Sequence, residues 1–418
     1  MSRTTSSSLP STTPVHLPED IQAEILNRLP VQTLARFRCV CKSWHRLFTD
    51  PFFINNHLHR HLSTTPHRII LSRYFKPPLS ISLHRNPNLQ ELHLPFISGH
   101  TYYVKGHCHG LICIIINNTD IVLWNPSINQ HKTLPVPSNF MKTREVLGIG
   151  FDSTINDYKI IRAPSSYCKF KLKDYNPQIE ILTLTSNSWR KLPDEVTPPY
   201  FIEHYHQSVT LNNAVYWLSL DDSSAVVLKF SLSEEKFAVV PNPPDDNGRN
   251  VSWVGVLNGA LCVVHSQRRV YFDIWATRDD CNWEKMVSVS KFLDRLRSLD
   301  YVPLCFTKSG ELVINVRGKG VFAYDDEVDE YSKVAEVDDV KWLQETVYTE
   351  SLVSPHRDGG NGCLERISLS STRSRNLWKK LRRFTNGVVD HFNGKDCLRG
   401  FNMNISAPSS IHLIQAEQ

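Results

Sequence analysis

The chain of 418 residues has no long apolar run. No stretch approaches the roughly 20 apolar residues that a membrane-spanning helix needs. Charge of one sign is missing too: 47 basic and 42 acidic side chains leave a formal net charge of +5, too mild for a nucleic-acid-binding body. The ten cysteines are scattered and form no Cys-x-x-Cys pair. Residues 1–14 are Ser, Thr and Pro-rich, with Arg3 as their one basic residue and no apolar segment, so they read as a disordered lead and not as a secretory signal. Free thiols in a reducing compartment, cytoplasm or nucleus, are therefore expected. The sequons at Asn117, Asn250 and Asn404 would not meet the glycosylation machinery there.

Catalytic signatures are also lacking. There is no Gly-x-x-x-x-Gly-Lys-Ser/Thr for phosphate, no Gly-x-Ser-x-Gly and no His-Glu-x-x-His, and Gly148-x-Gly150 lacks a third glycine. His107, Cys108, His109 and Cys113 invite a zinc reading, but alternate residues of a strand point to opposite faces, so the four do not converge. On a helix His57 and His61 would align while His59 would not, and a solvated helix face accounts for all three. Asp221-Asp222, Asp245-Asp246 and Asp325-Asp326 read as hairpin tips. No cofactor, metal or catalytic centre is expected.

What is present begins near residue 17. Leu17-Pro18-Glu19-Asp20-Ile21 leads to Ile25-Leu26-Asn27-Arg28-Leu29-Pro30 and then to Arg36-Phe37-Arg38-Cys39-Val40-Cys41-Lys42-Ser43-Trp44. Pro18 suits a first helical position, Glu19 and Asp20 oppose the helix dipole, and Ile21, Ile25 and Leu29 share a face with Leu17 just ahead. Pro30 stops that helix, and Thr33 caps a second one that carries Leu34, Phe37 and Val40. A third holds Cys41, Trp44, Leu47 and Phe48; Asp50-Pro51 opens a fourth with Phe52, Phe53 and Leu58. About fifty residues bury too little surface to stand alone, so the apolar face needs a cover, rimmed here by Arg28, Arg36, Arg38 and Lys42.

This segment resembles the F-box, the helical module that docks on the Skp adaptor of cullin-based ubiquitin ligases. The resemblance implies that Leu17, Pro18, Ile21, Ile25, Leu29, Pro30, Leu34, Val40, Cys41 and Trp44 either pack the module or face the adaptor. The sequence does not divide these two roles.

From His67 to about Pro355 short β-rich runs recur between turn residues. Examples are Leu111–Ile116, Ile121–Trp124, Ile179–Leu184, Ala225–Phe230 and Glu311–Val316, with Asn212-Asn213, Asn258-Gly259 and Lys308-Ser309-Gly310 among the turns. A repeat lies beneath them, ending in an aromatic residue and a Leu-Pro or Val-Pro. Trp189, Phe237, Trp283 and Tyr331 follow one another at about 47 residues, within the range of a propeller blade.

The region also resembles the plant F-box-associated interaction domain. The likeness rests on Gly106-His107-Cys108-His109-Gly110-Leu111-Ile112-Cys113, Leu123-Trp124-Asn125-Pro126, Gly148-Ile149-Gly150-Phe151-Asp152, Asp157-Tyr158-Lys159-Ile160, Val209–Leu218 and Tyr348–Val353. The expected fold is mainly β: a small all-α N-terminal F-box module (15–62), then a propeller-like repeat domain of about six blades (67–355). Arg68–Leu94 and a strand at Tyr348–Val353 would close the ring, with an incomplete propeller or a two-sheet sandwich as the alternative.

Residues 356–418 read as a basic, partly disordered tail in which Leu377, Leu381, Phe384 and Val388 recur at helical spacing. The implied function is substrate recognition within a Skp–cullin–F-box ubiquitin ligase, without catalysis by the chain itself. Its partners would be the Skp adaptor, through it a cullin, and a target protein held by long loops such as Tyr167–Asn176, Pro198–His206 and Pro243–Asn250. A propeller binder outside the ligase and a propeller enzyme with an axial site remain as alternatives.

Overall fold

The computed structural model describes residues 18–64, 68–73, 76–82, 88–92, 100–117, 119–137, 146–163, 165, 178–204, 206–220, 225–244, 251–267, 271–290, 301–316, 319–335 and 342–356. They group into two compact units that divide between Asn56 and His57. No helix among them is long and apolar enough to cross a membrane.

The first unit is helical: α1 (Glu19–Leu26), α2 (Val31–Phe37), α3 (Lys42–Leu47) and the start of α4 (Pro51–Thr64). Its boundaries differ from expectation because prolines serve as caps. Pro18 and Pro30 hold extended backbone just outside α1 and α2, and α1 already ends at Leu26. Thr33 therefore lies inside the first turn of α2. Cys41 is the cap of α3 and not part of it, its Sγ accepting from Trp44 N at 3.5 Å. Asp50 caps α4 as expected, accepting from Phe53 N at 2.9 Å.

The second unit is a β-propeller built from antiparallel sheets, six among the described residues. The first sheet takes β1 (Arg68–Arg73), β2 (Lys76–Ser82) and β3 (Asn88–Glu91) from the start of the unit. Blade 2 is β4 (Tyr102–Cys108), β5 (Leu111–Ile116), β6 (Asp120–Asn125) and β7 (Gln130–Leu134); blade 3 is β8 (Val146–Asp152), β9 (Asp157–Ala163), β10 (Glu180–Thr183) and β11 (Trp189–Lys191). Blade 4 is β12 (Phe201–Ile202), β13 (Val209–Leu211), β14 (Ala214–Leu220), β15 (Ala225–Ser231) and β16 (Lys236–Val240). Blade 5 is β17 (Val251–Leu257), β18 (Ala260–Gln267), β19 (Tyr271–Thr277) and β20 (Glu284–Ser290); blade 6 is β21 (Tyr301–Phe306), β22 (Leu312–Val316), β23 (Gly320–Asp325) and β24 (Glu330–Ala335). Finally β25 (Trp342–Tyr348) pairs with β1 and completes blade 1 from the far end of the sequence. The closing strand thus ends where the sequence reading began it. Residues 349–353 are not strand but a clasp.

Each blade buries both its faces against neighbours. Leu257, Phe272, Ile274, Tyr301 and Ile314 pack between blades 5 and 6; Ile69, Leu71, Val313 and Val321 pack between blades 6 and 1. Blades 3 and 4 approach closely because β8 carries Gly148 and Gly150. A Cβ at Gly148 would stand 2.3 Å from the Trp217 ring, and one at Gly150 2.6 Å from Leu232. Successive strands run antiparallel, so first-to-second and third-to-fourth turns share one face of the ring, and the other connections open on the opposite face. The first-to-second turns at His109-Gly110, Asn212-Asn213 and Asn258-Gly259 all take left-handed backbone, as two-residue hairpins require.

The repeating aromatic latches one blade to the one before. Trp189 Nε1 donates to Pro135 O at 2.6 Å and Trp283 Nε1 to Pro241 O at 2.6 Å. Tyr331 Oη donates to Ser290 O. The aromatic and the Leu-Pro or Val-Pro ending of the sequence repeat are the two halves of one contact. A second latch was not legible: a carboxylate in the third-to-fourth turn takes left-handed backbone at Glu235, Asp280 and Asp329. Each of these carboxylates reaches back, to Lys159 and Arg190, to Lys229 and Tyr216, and to Ser290 respectively.

Candidate functional site

The helical unit sorts the ten residues of the F-box resemblance into two sets. Leu34 is fully buried and Trp44 nearly so, beside Leu26, Val31, Phe48 and Phe53. Ring contacts chain this core together: Phe37–Trp44 at 5.4 Å, Trp44–Phe48 at 6.2 Å and Phe48–Phe53 at 5.5 Å. Pro18 and Pro30 are exposed, and Ile21 keeps 44% of its surface in solvent. Ile25, Leu29, Val40 and Cys41 are half-buried. Leu17 lies outside the described residues. Phe52 was read as an apolar residue of α4 alongside Phe53; the Asp50 cap sets the helix phase, so Phe53 turns in while Phe52 remains 75% exposed.

The charged rim is smaller than the sequence suggests. Arg28 is exposed and pairs with Glu24 at 2.8 Å, and Arg36 and Lys42 are also exposed. Arg38 instead turns inward and donates to Phe48 O at 3.3 Å, where burial lowers its pKa below the ordinary value. It holds the α3 end in place and is not a rim charge. An apolar centre with aliphatic anchors and a partial cationic rim is what a docking surface needs.

On the propeller, Tyr167–Asn176 and residues 245–250 lie outside the described residues. Of the segment Pro198–His206, residues 198–200 lead into a strand and do not continue as a loop. Phe201 and Ile202 form β12, and His204 is 91% buried.

Cys108 and Cys113 are buried in blade packing, which pushes both thiols up to about 12. His109 sits in a tight turn with its Nδ1 3.2 Å from Tyr158 Oη and its ring against Phe151. Burial, helped by His59, lowers its pKa to about 4. His57 and His61 align and stack at 4.0 Å, as helical spacing predicts. His57 is fully buried, however, so the solvated-face account fails for it. No group of three or more His, Cys, Asp or Glu side chains with metal-binding geometry occurs among the described residues.

The family motifs converge on the ring closure. Asn125, fully buried at the end of β6, places its amide nitrogen 2.8 Å from Val353 O and 3.1 Å from Ser351 O. Ser351 Oγ donates to His109 O at 2.7 Å. Gly110 is left-handed, and a Cβ there would stand 2.3 Å from Ser351 Oγ. Residues 106–113, 123–126 and 348–353 are thus one clasp. In the same way, Asp152 and Lys159 from two other motifs form a buried ion pair at 2.7 Å. These motifs build the ring.

Comparison with known families matches residues 75–356 to the F-box associated beta propeller domain and residues 15–56 to the F-box domain. The chain belongs to the F-box associated β-propeller family. F-box protein CPR1 of Arabidopsis thaliana is 29% identical over 331 residues, covering 71% of this chain and 79% of that protein. An F-box/kelch-repeat protein of the same plant is 26% identical over 310 residues, covering 68% of this chain and 83% of its own. An F-box/LRR-repeat/kelch-repeat protein, also from Arabidopsis thaliana, is 29% identical over 385 residues and covers 87% and 93%. An F-box followed by this propeller supports, in general terms, a substrate-receptor role in a Skp–cullin–F-box ligase, with the F-box as the part that meets the adaptor.

Proposed function

We propose that this chain is the target-holding subunit of a Skp–cullin–F-box ubiquitin ligase and has no catalytic step of its own. Pro18, Ile21 and Pro30, with the half-buried Ile25, Leu29, Val40 and Cys41, dock on the Skp adaptor. Leu34 and Trp44 support them from within. The propeller captures a target protein through its open face. Ubiquitin transfer then gains from proximity, because a tethered lysine meets the charged conjugating enzyme at high effective concentration.

The observation that carries this reading is Ile21. A module that buries Trp44, Phe48 and Phe53 still leaves a branched aliphatic side chain 44% exposed, on a helix flanked in sequence by two exposed prolines. Anchors of this kind are what an interface buries at its centre. Co-purification with the Skp adaptor tests it. Wild type is expected to retain the adaptor and Pro18→Ala/Ile21→Asp to lose it, with an unchanged melting profile. Failure of wild type to retain the adaptor overturns the proposal.

A further inference from the structure

The innermost strand of blade 4 is broken in two. β12 and β13 both pair with β14, at its opposite ends. Between them Glu203 N still donates to Leu218 O at 3.2 Å, and His204, Gln207 and Ser208 then turn to other partners (Tyr205 lies outside the described residues). The excursion contacts two other blades. Ser208 N donates to Lys105 O at 2.7 Å, and Ser208 bridges Gly106 of β4 in parallel register. Lys105, itself buried, returns a bond from Nζ to His204 O at 3.2 Å. Gln207 Nε2 donates to Glu345 O at 2.9 Å, and its Oε1 accepts from Thr346 Oγ1 at 3.0 Å. Glu345 and Thr346 belong to β25, the strand that closes the ring. At the leading end, Ile202 bridges Ser165, the last described residue before the connection that contains Tyr167–Asn176.

We infer that Ile202, His204, Gln207 and Ser208 form an axial strap that locks the closing strand β25, blade 2 and the root of the β9–β10 connection into one register. One side chain, Gln207, occupies both a backbone carbonyl and a hydroxyl of β25. Its bidentate hold fixes the strap along the strand as well as across it. The fit on the other side is steric. A Cβ at Gly106 would stand 2.0 Å from Ser208 Oγ but 3.3 Å from Ser208 Cβ. Gly106 is not left-handed, so close approach alone requires glycine at that position. The strap couples ring closure to the base of a connection on the open face.

Hydrogen exchange on the full chain tests this. Gln207→Ala removes two hydrogen bonds of ordinary strength, so about tenfold faster exchange is expected in β25 around Thr346. The coupling requires the same change at Ile202 and Ser165. Acceleration confined to residues 203–208 overturns the inference. Gly106→Ala provides an independent arm. It is expected to raise exchange at the same places, and Ser208→Ala in that background is expected to restore at least half the protection. Absence of an effect from Gly106→Ala, or of rescue by Ser208→Ala, equally overturns the inference.

Discussion

The helical module and the propeller solve opposite problems. Among the described residues every strand of the ring is paired and the last returns to the first, so most of its large apolar side chains are covered by its own blades, and the exposed ones (Leu89, Val136, Ile155, Val239 and Val328) stand one to a blade. The module covers its aromatic core but leaves Ile21 and Phe52 in solvent. The same resource, apolar surface, is spent on self-closure in one unit and held open in the other. A buried residue in either unit should therefore act on folding, and an exposed one in the module on association alone.

The sharpest way to break this contrast is to deny the ring its last strand. A chain ending before Trp342 lacks β25 and the clasp at Asn125, and is expected to lose cooperative unfolding, read by thermal melting and by sedimentation as aggregation. Next in size is Lys159→Met, which leaves Asp152 buried without its cation and should cost about 3–5 kcal/mol in denaturant unfolding. The pair also sets a pH dependence. Burial by itself raises the pKa of Asp152 and Glu235, but hydrogen bonds and charge from Lys159, joined at Asp152 by hydrogen bonds from Thr154 and at Glu235 by Arg190, overcome it and hold both below the ordinary range. Their contribution is complete above the unfolded values of about pH 4 and is lost as pH falls through the folded ones. Lys159→Met should reduce that acid slope, leaving the part due to Thr154 and Arg190; an unchanged slope would assign it elsewhere.

Leu34→Ala should cost about 2–5 kcal/mol and unfold the module together with adaptor binding. Ile21→Asp should abolish binding with no loss of melting temperature; a parallel loss of both would erase the distinction between the two surfaces. The smallest effects belong to the inter-blade latches. Trp189→Phe and Trp283→Phe should each cost about 1 kcal/mol, and add, since they link different pairs of blades. Strong non-additivity would mean the blades respond as one body.

Much of this was legible in the sequence because it depends on local chemistry. The aromatic at about 47-residue intervals marked the blades because each fourth strand packs or donates through it: Trp189, Trp283 and Tyr331 donate to the preceding blade, while Phe237 packs against Trp217 and Phe230. Asn-Asn and Asn-Gly marked the hairpins because those turns need left-handed backbone. The division of the F-box residues was not legible, since Ile21 and Leu34 look alike until helix phase is fixed. Arg38 was misplaced for the same reason. Nor could the strap be seen: Glu203 to Ser208 resembles any polar loop, and its partners Lys105 and Glu345 lie far away in sequence.

The return of β25 to β1 has a consequence for synthesis. Blade 1 waits with an open edge while the ribosome makes some 250 further residues, which at about 5–20 residues per second lasts tens of seconds. Throughout that interval Ile69, Leu71 and Ile81 have no lasting cover. An unpaired, greasy strand edge of such duration is the place where a chaperone would be recruited, and where a stalled or truncated nascent chain would begin to aggregate.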